Sequence, residues 1–364
     1  MITEIIKVNQ KKPKKNIIKK AAKIIKKGGL VAFPTETVYG LGANALNKIA
    51  VRKIFKVKGR PFDNPMIVHI ADFSDLFKLT KNVPQKAKLL IKKFWPGPLT
   101  IVLFKTKMVP DEVTAGSKTV AIRMPKNKIA LELIKASNVP IAAPSANLAT
   151  RPSPTTAQHV FEDLKDKIDL ILDGGKTKVG VESTVVDLTT KPPLILRPGG
   201  ISLEKIKKVL KDIKLHSLRP FGAGKIIKSP GMKYRHYAPK APLILIEGKE
   251  QISKIQNLID YYKKQKKIVG VMTTQENKHF YKNANLVLVV GSRKNLKEIA
   301  QNLFKTLREF DKKKVDPAPF RKKARVKKKV SSKRCGVDVI LAEGFPEKEI
   351  GFAIMHRLRK AALS

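Results

Sequence analysis

Apolar positions Ile17, Ile18, Ala21, Ala22, Ile24 and Ile25 fall on one face of a helical repeat, with lysines filling the gaps. The spacing predicts a helix from Ile17 to Lys27. Gly28-Gly29 stops it, as glycine does past a helix end, and a short apolar strand, Leu30–Phe33, follows. Asn47 can cap a second helix, with Ile49, Val51, Ile54 and Phe55 on its buried side, ending near Lys58-Gly59. Met66–Ile70 reads as a strand. A helix from Gln85 to about Phe94 then leads through the rigid turn Trp95-Pro96-Gly97-Pro98 into a strand, Leu99–Phe104. Further strands are predicted at Thr119–Arg123, Pro140–Ala143, Leu170–Asp173, Glu182–Leu188 and Leu194–Arg197, with helices near 127–137 and 155–165. Several strands follow one another without a helix between, so the expected fold is α/β with a mixed sheet.

The pattern changes after about residue 213. His216 to Pro242 is rich in glycine, proline and aromatics, and reads as a linker. Beyond it the strand Leu243–Ile246, a helix near 250–264, strands Ile268–Met272 and Leu286–Val290, a helix from Asn295 to Asp311, the strand Val337–Leu341 and a helix over Ile350–Ala362 predict a small Rossmann-like parallel sheet. No G-x-G-x-x-G occurs in it, so nothing there argues for a dinucleotide. The boundaries expected are therefore 1–213, a linker 214–241, and 242–364. Residues 317–336 carry nine lysines and arginines and no acid, and read as a basic loop inserted before a core strand: either a neutral surface insertion or an RNA-binding arm.

Composition adds three bounds. A chain of 364 residues with 42% apolar content can bury two cores. Its apolar runs are too short for a membrane span, and Met1-Ile2-Thr3-Glu4 does not open a signal peptide, so a cytoplasmic protein without membrane contact is expected. The single cysteine, Cys335, excludes an internal disulfide and fits a reducing compartment. The balance of 76 Lys+Arg against 29 Asp+Glu, a net +47, favours anionic ligands and leaves direct RNA contact open beside a plain solvated lysine bias.

Three polar clusters could carry chemistry. The first leaves a strand: Pro34-Thr35-Glu36-Thr37-Val38-Tyr39-Gly40-Leu41-Gly42, with hydroxyls, backbone N–H groups and glycines that let a ligand approach the main chain. Read alone it could be an ordinary strand-to-helix loop. The second is Lys58-Gly59-Arg60, with Asn64 and His69 after it: a point charge and a planar fork that suit a polyphosphate. His69 alone would read as a packed strand histidine. The third is Ala143-Pro144-Ser145-Ala146-Asn147 with Arg151-Pro152-Ser153-Pro154-Thr155, either an anion site or a capped helix with Ser153 or Thr155 as the cap. Ser183, Arg123 and Arg197 add polar groups at strand ends. No Walker A loop, H-E-x-x-H, cysteine cluster or nucleophilic triad is legible, so the site would act by positioning and by stabilising phosphate charge.

Together these clusters resemble the threonylcarbamoyl-AMP synthases of the Sua5/YrdC family, in the two-domain Sua5 form. Its K-x-R…S-x-N signature stands here as Lys58-Gly59-Arg60 and Ser145-Ala146-Asn147. The turn at 34–41, Phe94–Thr100, Glu182–Asp187, Leu196-Arg197-Pro198-Gly199 and the linker Ser229–Pro239 match as well. The resemblance spans nearly the whole chain except about 317–336. It departs at Ala149-Thr150, where the family usually has Ser-Gly, and at His356, where it usually has asparagine. It implies a YrdC-like twisted mixed sheet with flanking helices and a large basic cavity, plus a smaller Rossmann-like C-terminal domain. The implied reaction joins L-threonine, bicarbonate and ATP into threonylcarbamoyl-AMP and pyrophosphate with Mg²⁺, without a tightly bound organic cofactor. A separate complex then transfers the group to adenosine 37 of tRNA. By position, Arg60, Asn64, Thr119, Ser145, Asn147, Ser153 and Arg197 would hold ATP, with Lys58 on phosphate and Tyr237 closing over the nucleotide. Lys58 and Arg60 would be the catalytic cations. Thr37, His69, Arg123, the Ala143 backbone and Ser183 would hold threonine. The competing readings are an RNA-binding module of the same fold without catalysis, and a carbamoyl-transfer relative of the hydrogenase-maturation kind. The first has no need of Thr37, His69 and Arg123 together; the second expects acylphosphatase and zinc-finger segments, and neither is legible here.

Overall fold

The computed structural model describes residues 2–216, 236–315 and 334–362. Most of the expected linker 214–241 and of the basic segment 317–336 lies outside them. The chain divides into two compact units, Met1–Tyr234 and Arg235–Ser364.

The first unit is built on one sheet of eleven strands: β1 (Glu4–Lys7), β2 (Val31–Pro34), β3 (Tyr39–Asn44), β4 (Ile67–His69), β5 (Leu99–Phe104), β6 (Thr119–Arg123), β7 (Ile141–Ala142), β8 (Leu170–Asp173), β9 (Thr184–Asp187), β10 (Leu194–Arg197) and β11 (Lys214–Leu215). Their spatial order is β1-β8-β2-β3-β7-β4-β6-β5-β9-β10-β11. Parallel pairs (β1 with β8, β4 with β6, β5 with β9) occur beside antiparallel ones (β2 with β3, β5 with β6, β9 with β10), so the sheet is mixed as the sequence predicts.

Side-chain alternation feeds two cores. In β2 and the residue before it, Leu30 and Ala32 enter one cluster while Val31 and Phe33 enter the other. Helix α1 (Lys15–Lys26) buries Ile18, Ala21, Ala22 and Ile25, the stripe expected, and keeps its lysines outward. Helix α2 (Lys48–Lys58) starts where Asn47 accepts hydrogen bonds from the backbone of Ile49 and Ala50, and ends where Gly59 turns left-handed at φ 60°. The remaining helices of this unit are α3 (Phe73–Leu79), α4 (Gln85–Phe94), α5 (Asp111–Thr114), α6 (Lys128–Ser137), α7 (Ala157–Leu164) and α8 (Leu203–Lys207).

Two expectations are corrected. The stretch after Phe33 is not a strand-to-helix loop. It is a hairpin: Pro34 pairs Tyr39, and β3 runs on through Gly42. Two glycines make Tyr39–Asn44 look like loop, but a Cβ at Gly42 would lie 2.7 Å from the Phe33 ring and 2.8 Å from Ile141, so only glycine fits that packing. Helix α7 is capped by Thr156, whose hydroxyl accepts from the His159 N–H, and not by Ser153 or Thr155.

The second unit carries a smaller sheet, β12 (Leu243–Ile246), β13 (Val269–Thr273), β14 (Leu286–Val289) and β17 (Val339–Glu343), in the order β12-β17-β13-β14 and parallel throughout. This is the small parallel sheet expected. A two-stranded ribbon, β15 (Lys314–Val315) with β16 (Arg334–Cys335), flanks the undescribed segment. Helices α9 (Gln251–Lys264), α10 (Leu296–Glu309) and α11 (Gly351–Ala361) complete it. Among the described residues no helix is long and apolar enough to cross a membrane.

Candidate active site

The polar clusters leave the central strands of the large sheet, where β3, β7, β4 and β6 lie side by side. The β2–β3 turn is tied by Thr35, whose hydroxyl donates to the Val38 carbonyl at 2.7 Å and lies 2.8 Å from the Thr37 hydroxyl. The S-x-N loop docks on this hairpin. The Leu41 N–H donates to the Pro144 carbonyl at 2.8 Å, the Ala146 N–H to the Tyr39 carbonyl at 2.9 Å, and Gly40 bridges Ser145. Ala143 is buried, and its N–H is used by the Ile67 carbonyl.

His69 and Arg123 are paired residues of β4 and β6. Val68 and Ile122 face one core, so strand alternation sends His69 and Arg123 to the other face. Arg123 is 4% exposed there. Its Nη2 lies 2.7 Å from the Glu36 carboxylate, and its Nε donates to the Gly97 carbonyl at 3.3 Å. The other Glu36 oxygen accepts the Lys126 N–H at 3.0 Å. Nη1 of Arg123 has no partner among the described residues, which leaves one edge of the fork for a carboxylate. His69 sits edge-on to Phe33, ring centroids 6.3 Å apart, and its Nδ1 is buried without a partner among the described residues. Burial, and next the Arg123 charge, lower its pKa to about 3, so the imidazole is neutral at physiological pH. It can hold a ligand through a single hydrogen bond and adds no charge.

The K-x-R cations diverge. The left-handed Gly59 ends α2 between them, and they take different partners. Lys58, 2% exposed, donates its ammonium to the Ser145 carbonyl at 2.6 Å and to the Asn147 carbonyl, while its own carbonyl accepts the Ala149 N–H at 2.8 Å. The residue expected on phosphate thus clamps the S-x-N loop in this structure. Asn147 completes the clamp by donating its side-chain amide to the carbonyls of Leu148 and Arg151. Arg60 instead donates to the side-chain and backbone oxygens of Asn64, at 2.6 and 3.1 Å, and to the Pro65 carbonyl at 2.8 Å. Arg60 and Asn64 are one unit.

On the far side, Arg197 at the end of β10 donates to the Ser183 carbonyl at 3.0 Å and to its hydroxyl at 3.2 Å; that hydroxyl lies 2.7 Å from the Thr100 hydroxyl. Ser153 donates to the buried Glu182 carboxylate at 2.6 Å. Thr119 is buried with its hydroxyl 2.8 Å from that of Ser117. Tyr237 alone of the candidates belongs to the second unit. There its ring stacks on Phe304, centroids 5.2 Å apart, with the Arg357 guanidinium 5.7 Å from its centre. Sequence reasoning gave no role to Glu36, Gly97 or Glu182. Glu36 pairs with a residue 87 positions away, and no local pattern carries that information.

Residues 23–199 match the family described as telomere recombination, which groups the Sua5, YciO and YrdC proteins. Residues 201–363 match the threonylcarbamoyl-AMP synthase C-terminal domain. A Pyrococcus abyssi protein named threonylcarbamoyl-AMP synthase is 51% identical over 350 residues, covering 95% of this chain and 94% of that one. One of the same name from Bacillus subtilis is 49% identical over 346 residues, covering 95% and 92%. The crystal structure of P. abyssi Sua5 complexed with L-threonine superposes with a TM-score of 0.87 at 49% identity, covering 99% of this chain and 98% of that one. On site, sheet and sequence together, this chain belongs to the Sua5/YrdC family, in the form that carries the Sua5 C-terminal domain.

Proposed function

We propose that this chain is a threonylcarbamoyl-AMP synthase that condenses L-threonine, bicarbonate or CO₂, and ATP. The observation that carries the reading is the hydrogen bond between Ser183, expected on threonine, and Arg197, expected on the nucleotide. The reaction needs two anions brought together, and a contact between the two residue sets is what such chemistry requires.

In this reading the free edge of Arg123 receives the threonine carboxylate, with the Gly97 carbonyl orienting the guanidinium and the Glu36 carboxylate balancing its charge. Neutral His69 and the Thr37 hydroxyl orient the amino acid. The deprotonated amine attacks CO₂, forming the C–N bond, and gives up its proton to water to leave a carbamate. A carbamate oxygen attacks the α-phosphorus, and the bond to the bridging oxygen breaks, releasing pyrophosphate. Arg60 and Arg197, anchored by Asn64 and Ser183, stabilise the growing phosphate charge in a site of low dielectric. No group of three or more His, Cys, Asp or Glu side chains forms a metal cage among the described residues. Mg²⁺ would be carried on the triphosphate, where Glu182, which accepts the Ser153 hydroxyl, is the carboxylate that would hold it, and the ion would supply charge neutralisation. The adenylate passes to a transferase complex acting on adenosine 37 of tRNA in the cytoplasm.

The test is pyrophosphate release by the purified protein given ATP, bicarbonate and L-threonine. Omitting threonine should abolish release; undiminished release without it overturns the assignment. Arg60→Ala should cut turnover by a factor of about 10² or more, as loss of one preorganised charge donor does, with the circular dichroism spectrum unchanged. Full activity in that variant would remove Arg60 from the reaction.

A further inference from the structure

Beside the candidate site, and lined by none of the residues expected to hold ATP or threonine, lies a second cleft of about 340 Å³. Four segments wall it: Gln10-Lys11, the turn residues Thr35 and Glu36, Lys126 to Lys128 at the start of α6, and Lys176 to Lys178. Five of its ten lining residues are lysines (Lys11, Lys126, Lys128, Lys176 and Lys178) and only Glu36 is acidic.

The walls are fixed by the main chain. The Lys126 N–H donates to the Glu36 carboxylate at 3.0 Å, the Lys178 N–H to the Glu36 carbonyl at 3.1 Å, and the Thr177 N–H to the Thr155 carbonyl at 3.0 Å. Gln10 donates its side-chain amide to the Gly174 carbonyl. All five lysines are exposed at the wall of the cleft. The one acid is already engaged: Glu36 faces Arg123 at 2.7 Å, so it subtracts little from the local potential. Thr177 adds a hydroxyl that is buried without a partner among the described residues. Five cations on a preformed concave wall focus a field that a dispersed lysine surface does not.

We propose that this cleft is a second anion site, built for a compact phosphoryl oxyanion. Both orthophosphate and pyrophosphate have that chemistry, and the cleft volume admits either. Because Glu36 lines the cleft and also holds Arg123, an anion bound there acts directly on the partner of the guanidinium in the main site. The site itself does not depend on the proposed reaction, since it is defined by charge and shape alone.

The experiment is a calorimetric titration of the full chain with sodium pyrophosphate and, separately, with sodium orthophosphate, in the wild type, in Arg60→Ala and in a Lys126→Gln/Lys176→Gln/Lys178→Gln variant. Saturable binding should survive Arg60→Ala. It should fall at least tenfold in the triple variant, whose melting temperature stays at the wild-type value because the three positions are exposed. Raising the salt should weaken it. Tighter binding of pyrophosphate marks a reaction product as the occupant, and equal or tighter binding of orthophosphate marks the free ion. Any other pattern overturns the proposal: no saturable binding, binding lost in Arg60→Ala, or binding unchanged in the triple variant. Threonine-dependent pyrophosphate release is measured on the wild-type preparation. Its absence beside intact anion binding would fault the synthase reading and leave this one standing.

Discussion

His69 shows how position changes what a side chain can do. An isolated strand histidine has an ordinary pKa near 6.5; here burial and Arg123 hold it at about 3. Between those values the unfolded chain binds the proton and the folded one does not, so stability rises with pH across that window and is lost on acidification from about pH 6.5 downward. Urea unfolding at pH 7.5, 6.0 and 5.0 should show the decline, and His69→Gln should flatten it. A slope unchanged in the variant would assign the acid sensitivity elsewhere. Lys58 gives a second residue-scale prediction. Lys58→Met strands the carbonyls of Ser145 and Asn147, at about 1–3 kcal/mol each. If the clamp is its task, affinities for adenosine and for ATP should fall by the same factor. A loss that grows with each added phosphate would return Lys58 to the phosphate chain.

At the scale of elements, the amphipathic and purely apolar segments were readable from the chain alone. The helix Gln85–Phe94 and the strands Leu99–Phe104, Thr119–Arg123, Leu170–Asp173 and Leu194–Arg197 stand where periodicity and breakers put them. Strand β3 was hidden because its glycines answer to Phe33 and Ile141, which come from other strands. Strand β1 was hidden because four residues, Glu4–Lys7, become a strand only by pairing with β8, far along the chain. The K-x-R and S-x-N motifs were legible as motifs, but their coupling through Lys58 is a matter of tertiary contact. Gly199 carries the prediction at this scale. A Cβ there would lie 2.3 Å from the Ser183 carbonyl carbon and 2.4 Å from the Glu182 carbonyl oxygen, both main-chain atoms that cannot rotate away. Gly199→Ala should destabilise the protein by about 1–3 kcal/mol, as overpacking does, and depress turnover by shifting Ser183. Chemical denaturation and pyrophosphate release measure the two; a variant normal in both would mean the turn yields freely.

For the molecule as a whole, the net +47 sets behaviour toward polyanions. Binding to any RNA should weaken steeply with salt, the logarithm of affinity falling linearly with that of salt concentration. Deleting 317–336 removes a run of lysines and arginines with no acid among them. The deletion should lower that slope and leave small-molecule turnover intact. Filter binding across a salt series checks the first, and a slope unchanged by the deletion would locate the RNA-facing charge on the folded units. The chain divides into two units at Tyr234/Arg235, within the segment rich in glycine, proline and aromatics, while the large sheet itself runs on past residue 213 through β11.

Gly40 and Ser145 are joined backbone to backbone, with Pro144 and Ala146 bonded to the same strand on either side. Heredity follows from that seam. A mutation that reshapes the Thr37 turn tilts the neighbouring loop with it, so if the turn holds the amino acid and the loop the nucleotide, as proposed, descendants of this scaffold would find it hard to change one substrate while keeping the other.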